Sequence, residues 1–259
     1  MEAAAWGLVV AASLLAGGVA AVLLRLPARI AALATAFGGG ILFAAVALEL
    51  VPEADAGAGP LLTAAGLVAG TLVYVIADAR LSRDPSMRAM RRMGHAAAAG
   101  RPMSEMAEPD EPGARDRSEA ARGESIAAGI FVDGVPESIA LGLTIAQDEL
   151  GLALLAGILL GNLVEAYGAA QPILAGGRSP RFVLGLLGGI GLALALATTV
   201  GGTVLADASE ELVGTLQAIA AGALLAVISV AIVPHAFSEV SRAVATATVT
   251  GFVAGYLLS

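Results

Sequence analysis

GGILFAAVALELVPEA, residues 39–54, and AGALLAVISVAIVPHA, residues 221–236, are the two stretches on which the fold turns. Aligned without a gap they agree at six of 16 positions: Gly40 with Gly222, Leu42 with Leu224, Ala44 with Ala226, Val51 with Val233, Pro52 with Pro234 and Ala54 with Ala236. Each lies in an apolar run of about 20 residues, the length at which a helix crosses the hydrocarbon of a bilayer. A shorter pair, LVAGTLV at 67–73 and FVAGYLL at 252–258, shares a V-A-G core. Similar segments near opposite ends of one chain suggest two copies of a single unit.

The rest of the chain has the same character. Of its 259 residues 58% are hydrophobic and 14% charged, against about 45–50% apolar and about 25% charged in a soluble domain. Mean hydropathy is +0.85. The excess falls into eight runs, at 4–24, 30–52, 60–80, 125–147, 150–175, 182–206, 211–236 and 241–258, each read as a membrane-spanning helix. This pattern excludes a soluble enzyme and an outer-membrane barrel, whose strands would alternate. The absence of Cys excludes a disulfide scaffold. A net charge of −8 argues against nucleic acid as a partner. The first run is not read as a signal peptide, because Arg25 and Arg29 follow it and do not lead it.

Charge placement sets the orientation. All 14 basic residues are Arg. They fall between spans one and two (Arg25, Arg29), between three and four (Arg80 to Arg122), between five and six (Arg178, Arg181) and between seven and eight (Arg242). These are the loops of one side, which the positive-inside rule makes cytoplasmic. The remaining loops are short and acidic: Glu53 and Asp55, Asp148 and Glu149, and Asp207, Glu210 and Glu211. A multi-pass cell-membrane protein with both termini outside the cytoplasm follows. It divides into spans 1–3 (1–80), a flexible cytoplasmic loop (81–124), a central pair of spans (125–175) and spans 6–8 (176–259). Within the loop, Met87, Met90 and Met93 alternate with Arg88, Arg91 and Arg92 ahead of His95. We read this as a basic helix resting on lipid headgroups.

Under this topology span two runs inside to outside and span seven runs back. The expected fold is therefore all-α, with eight transmembrane helices and spans 1–3 and 6–8 as inverted copies around spans four and five. Inverted repeats are a signature of secondary transporters, whose substrate site lies near the midplane at the repeat interface. The central spans carry the buried charge. Span four, SIAAGIFVDGVPESIALGLTIAQ, places Asp133, Pro136, Glu137 and Ser138 near its middle, and span five places Asn162 and Glu165 there. A carboxylate at mid-bilayer costs about 2.5–3.5 kcal/mol on insertion scales, so such residues locate function. Asp133 and Glu137 are four apart and share a helix face, as do Asn162 and Glu165 at a spacing of three. Pro136 has no N–H, which frees the carbonyl of Val132. Gly129, Gly134, Gly142, Gly157, Gly161 and Gly168 are expected to let the two central helices approach each other closely. The central spans hold no Arg to neutralise the acids, so a divalent cation or shared protons must do so. Glu49 and Glu53 are read as solvated at the outer surface, where they could also guard an entrance. Asp78 and His235 are read as interfacial at the inner one. Tyr167 and Gln171 could line a path.

The stretch DGVPESIALG, 133–142, resembles the fourth span of the zinc/iron-regulated transporter-like (ZIP) family, H-N-x-P-E-G-x-A-x-G, and GNLVEA, 161–166, resembles the polar cluster of its fifth span. Eight spans, outward termini, a long cytoplasmic loop after span three and inverted halves agree with that family. The resemblance implies a divalent-metal transporter with no prosthetic group, in which Glu137 and Glu165 are ligands. Asp133 stands in the place of the motif's His, Gly134 in that of its Asn and Ser138 in that of its second Gly. Gly161 replaces a fifth-span His or Gln, and Asn162 stands where a second polar ligand is often found. The ligand set Asp133, Glu137, Asn162 and Glu165 holds no imidazole. Such an all-oxygen site leans toward Mn²⁺, Mg²⁺ or Ca²⁺ without excluding Zn²⁺, Fe²⁺ or Cd²⁺.

The expected function is inward transport of a divalent metal ion by alternating access, without ATP, since no P-loop occurs. The alternatives are the same fold carrying a non-metal cation with proton coupling, and a non-transporting regulatory membrane protein. An intramembrane hydrolase fits poorly: there is no HExxH, and Ser138 and His235 are the nearest approach to a Ser–His pair. The bilayer is the one certain partner, and the Gly/Ala-rich helices leave a homodimer open.

Overall fold

The computed structural model describes residues 2–24, 26–81, 127, 130–131, 134–146, 151–204 and 208–259. Every regular element among them is helical: α1 (Glu2–Leu23), α2 (Ala28–Ala45), α3 (Val51–Ala58), α4 (Pro60–Leu81), α5 (Gly134–Ala146), α6 (Leu152–Ala175), α7 (Pro180–Val204), α8 (Glu210–Val227), α9 (Val233–Val240) and α10 (Ala243–Leu258). A π-helical turn, Val46–Leu50, joins α2 to α3 in one continuous helix, and a second, Ile228–Ile232, joins α8 to α9. Six helices are long and apolar enough to cross a membrane: Glu2–Leu23, Arg29–Ala58, Pro60–Ala77, Leu152–Ala175, Pro180–Thr203 and Glu210–Val240. The shorter α5 and α10 are also apolar. The 16 residues of α10 rise about 24 Å, less than the hydrocarbon thickness of about 30 Å. Many large apolar side chains are exposed, among them Leu23, Leu61 and Leu257, as expected of helices that meet lipid tails. The methionine-rich loop lies outside the described residues.

The two long helices extend past their expected ends. The expected spans end at 52 and 236, but the helices continue to Ala58 and Val240. A proline inside an α-helix clashes with the carbonyl four residues back and cannot donate to it. Here the preceding turn is widened: the amide of Val51 donates to the carbonyl of Val46, and that of Val233 to Ile228, each five residues back. The wider turn makes room for the rings of Pro52 and Pro234 in the first turn of α3 and α9. The helix continues past its proline and does not end there.

The two long helices are built alike element by element. Each has an α segment of 18 residues, a π turn of 5 and an α segment of 8. Their elements begin 182 residues apart, at 28 and 210, 46 and 228, and 51 and 233. They pack antiparallel, since a Cβ added at Gly57 would meet Glu210 and Gly214 while one at Gly39 would meet Ile232. The flanking helices are matched too. α4 lies parallel to α8, Gly66 against Ala218 and Gly70 against Ile219 and Ala223. α10 lies parallel to α2, Gly251 against Phe37 and Gly255 against Ile41 and Ala44. Ile219 is the 182-residue counterpart of Phe37, so packing pairs Gly70 with Gly251. The sequence match had paired Gly70 with Gly255, one helical turn away. V-A-G recurs in apolar helices, and the carbonyl that each glycine must admit decides the register.

The remaining described helices form a second group. α1 and α7 run antiparallel, Gly7 against Ala195, Ala11 against Gly191 and Gly18 against Leu187. α6 lies parallel to α1, Gly17 against Leu163 and Ala166, and α5 lies parallel to α7, Gly142 against Thr198 and Gly202. The two groups meet where α2 crosses α6, Gly38 facing Gly161 and Leu42 filling the space at Gly157. These pairings place the acidic breaks at one end of the molecule, because Gly57 adjoins Glu210 and Gly151 adjoins Glu49. At the other end the close of α6 lies beside Leu24 and Leu26, next to the Arg-bearing breaks.

Candidate functional site

Glu137 is carried by α5 and is only 6% exposed, although it is a carboxylate in an apolar helix. The neighbouring Ser138 is fully buried, and its hydroxyl has no hydrogen-bond partner. On α6, Asn162 is 2% exposed and its Nδ2 has no partner, while Glu165 is half-buried. Buried polar atoms without partners cost about 1–3 kcal/mol each, and α5 and α6 carry one apiece, as do Thr63 on α4 and, at its Oε1, Gln217 on α8. Asp133 and the carbonyl of Val132 lie outside the described residues. Among the described residues no three acidic or imidazole side chains gather at one point.

The glycines of the central helices do not do what their spacing suggested. Gly134 faces Leu194 and Gly142 faces Thr198, both on α7, and Gly157 faces Leu42 on α2. At Gly161 and Gly168 an added Cβ meets nothing within 4 Å. The close approaches thus join α5 to α7 and α6 to α2, and not α5 to α6. A glycine stripe announces a close neighbour without identifying it. Gly129 lies outside the described residues.

Tyr167 and Gln171 make contacts with the end of α1. The Tyr167 hydroxyl accepts from the N–H of Leu26 at 2.6 Å and donates to the carbonyl of Leu24 at 3.3 Å. The Gln171 amide donates to the carbonyls of Ala21 at 2.9 Å and Leu24 at 3.3 Å. The last carbonyls of a helix lack intrahelical donors, and these two side chains of α6 cap the end of α1. They fix α6 to α1 at the Arg-bearing end.

Glu49, read as solvated, is half-buried in the π turn between α2 and α3. Its carboxylate lies beside the backbone N–H groups of Leu154 and Ala153 and the side chain of Ser259, and its Oε2 is buried without a hydrogen-bond partner. Glu53, one turn on, is half-buried as well and takes a 2.8 Å hydrogen bond from Nε2 of Gln217 on α8. Gln217 is fully buried and was not singled out from the sequence. Its signal is the small-residue face Gly214, Ala218 and Ala221, on which one long polar side chain stands out. His235, the 182-residue counterpart of Glu53, is exposed on α9 and makes contacts of its own. The side chain of Asp78 lies outside the described set.

No model of a known protein family matches the chain, and no curated protein matches it.

Proposed function

We propose that the chain is a secondary transporter that moves divalent metal ions inward across the cell membrane by alternating access. In this reading it has eight spans, the seven helices α1, α2–α3, α4, α6, α7, α8–α9 and α10 together with the apolar run 125–147 that contains α5. Spans 1–3 and 6–8 are inverted copies. What supports that symmetry is the equal build of the two long antiparallel helices, together with the matched parallel pairs α2/α10 and α8/α4. The gathering of acidic breaks at one end and Arg at the other supports both termini facing outward.

Asp133, Glu137 and Glu165 are the primary ligands and Asn162 a secondary one, between α5 and α6. The observation that carries this reading is the burial of Glu137 and Asn162 on the two central helices. A carboxylate buried in an apolar helix is costly and therefore marks function, and a divalent cation is a ligand such a group favours. α1, α5, α6 and α7 form the moving bundle and α2–α4 with α8–α10 the scaffold. In support, several of the closest glycine contacts, such as Gly17 on Leu163 and Gly40 on Thr248, lie inside each group. The two groups meet across the α2–α6 boundary, where Gly38 faces Gly161 and Leu160 and Gly157 seats Leu42. Displacing the metal leaves the carboxylates needing protons, so proton exchange accompanies the cycle.

The test is uptake into proteoliposomes loaded with a metal-sensitive dye, comparing the unaltered chain with Glu137→Ala and Glu165→Ala. Uptake by the unaltered chain, lost in both variants, is expected. If the unaltered chain takes up no divalent ion, the metal reading fails and a proton-coupled organic cation becomes the cargo to examine.

A further inference from the structure

Residues 182 apart hold the same place at opposite ends of the two long helices, so the differences between them show how the two ends are built. The corner after α3 is Gly59, with φ +78°, and its counterpart after α9 is Ser241, with φ +54° and ψ −128°. Among the described residues Ser241 is the one residue other than glycine with a positive φ. With Arg242 at φ −65° and ψ −18°, it has the shape of a type II′ turn, whose first central position favours glycine. A side chain held there strains the backbone. The helix interface beside each corner differs in the same sense. At the acidic end Gly57 and Gly214 bring α3 and α8 close, an added Cβ standing 2.9 Å from the carbonyl of Glu210 and 2.8 Å from the amide of Ala58. Gln217 donates to Glu53 across that interface at 2.8 Å. At the Arg-bearing end the places of Gly57, Gly214, Gln217 and Glu53 are taken by Glu239, Ala32, Thr35 and His235. None is glycine, and the Thr35 hydroxyl donates to Ala31 of its own helix at 3.1 Å. Ala36, Ala236 and Val244 form a small apolar cluster there, separate from the main core.

We propose that the α9–α10 corner is a sprung gate at the Arg-bearing end: α9 swings away from α2 about the π turn 228–232, and relief of the Ser241 backbone favours the open position. The acidic end of the same helix pair, relaxed at Gly59 and bonded through Gln217, is the fixed pivot. A small cluster with few apolar partners opens at a lower free energy than the main core, and the strain at Ser241 lowers it further. In the transport reading this gate lies on the cytoplasmic side, within the group of helices that serves as scaffold. The inference takes its purpose from that reading, but its test needs no cargo, so the two stand or fall separately.

The chain has no Cys, so a single introduced cysteine reports directly on opening in the full-length protein. One is placed at Ala236 on α9 and, in a second protein, one at its counterpart Ala54 on α3, both fully buried. Ala36, fully buried on α2, is a second reporter of the Arg-bearing end should the 236 cysteine disturb folding. Purified protein in detergent presents both ends to a soluble maleimide, and rates are compared at each position with and without the corner variant. Ser241→Gly fits the turn without strain, so it should slow labelling at 236 by about tenfold and leave 54 unchanged. Gly59→Ser gives the acidic corner the same burden and should speed labelling at 54 while leaving 236 unchanged. An unchanged rate at 236 in Ser241→Gly would mean that the corner does not open. An equal slowing at 236 and 54 would mean that the strain weighs only on global stability. Either result overturns the inference.

Discussion

Gln217 and Glu53 join the two long helices across their antiparallel interface: the amide of a fully buried glutamine donates to a half-buried carboxylate at 2.8 Å. A hydrogen bond to a charged acceptor contributes about 1.5–3 kcal/mol. Gln217→Leu, which keeps the volume and removes the donor, should cost that much in thermal unfolding of the purified protein in detergent. Glu53→Gln should cost less, because a carbonyl oxygen still accepts. Equal and negligible losses in both variants would mean that the pair only fills space.

The backbone contacts at glycine make a sharper prediction about stability. A methyl group at Gly40 would run into the carbonyl of Thr248 and one at Gly222 into that of Leu67. Gly40→Ala and Gly222→Ala should each destabilise by about 1–3 kcal/mol as overpacked sites. Gly185→Ala, where nothing lies within 4 Å, should be neutral or gain about 0.5–1 kcal/mol from helix propensity. Melting temperatures of the three variants, measured side by side, decide the matter.

Tyr167 separates a structural cap from a path-lining group. Tyr167→Phe removes the acceptor for Leu26 and the donor to Leu24 while preserving the ring. A loss of about 1 kcal/mol in stability with unchanged metal uptake is the expected result. Reduced uptake at unchanged stability would return Tyr167 to the path.

Metal preference follows from the absence of imidazole among the proposed ligands. In a competition assay across Zn²⁺, Fe²⁺, Mn²⁺, Cd²⁺, Mg²⁺ and Ca²⁺, Mn²⁺ or Mg²⁺ should compete at least as well as Zn²⁺. A strict preference for Zn²⁺ would place a nitrogen ligand in the site, and His235 or His95 would have to supply it.

Much of the fold was legible from hydropathy and from one pair of matched motifs. The V-P-x-A match at 51–54 and 233–236 located the two long helices and their relation before any coordinates. Their length was not legible, because proline is ordinarily a stop and only the preceding π turn converts it into a passage. Glycine spacing foretold close packing but assigned Gly134, Gly142 and Gly157 to the wrong neighbours, since a missing side chain carries no address. Burial of Glu137 and Asn162 agrees with their place in the middle of apolar runs. Glu49 was read as solvated and Gln217 was passed over, because their neighbours lie more than a hundred residues away in the chain, which no local spacing encodes.

The π turns have a consequence for how this chain tolerates length changes. A π turn amounts to one residue inserted into an α-helix, with the flanking segments keeping their rotational phase. Deleting a residue from 46–50 together with Pro52→Ala should therefore restore an uninterrupted α-helix and leave the buried faces of α2 and α3 aligned as before. The same deletion two turns earlier, within α2, would rotate every downstream side chain by about 100° and turn Leu50 and Ala54 out of the core. The 46–50 and 228–232 turns are thus the points at which either long helix can gain or lose a residue without scrambling its inward face.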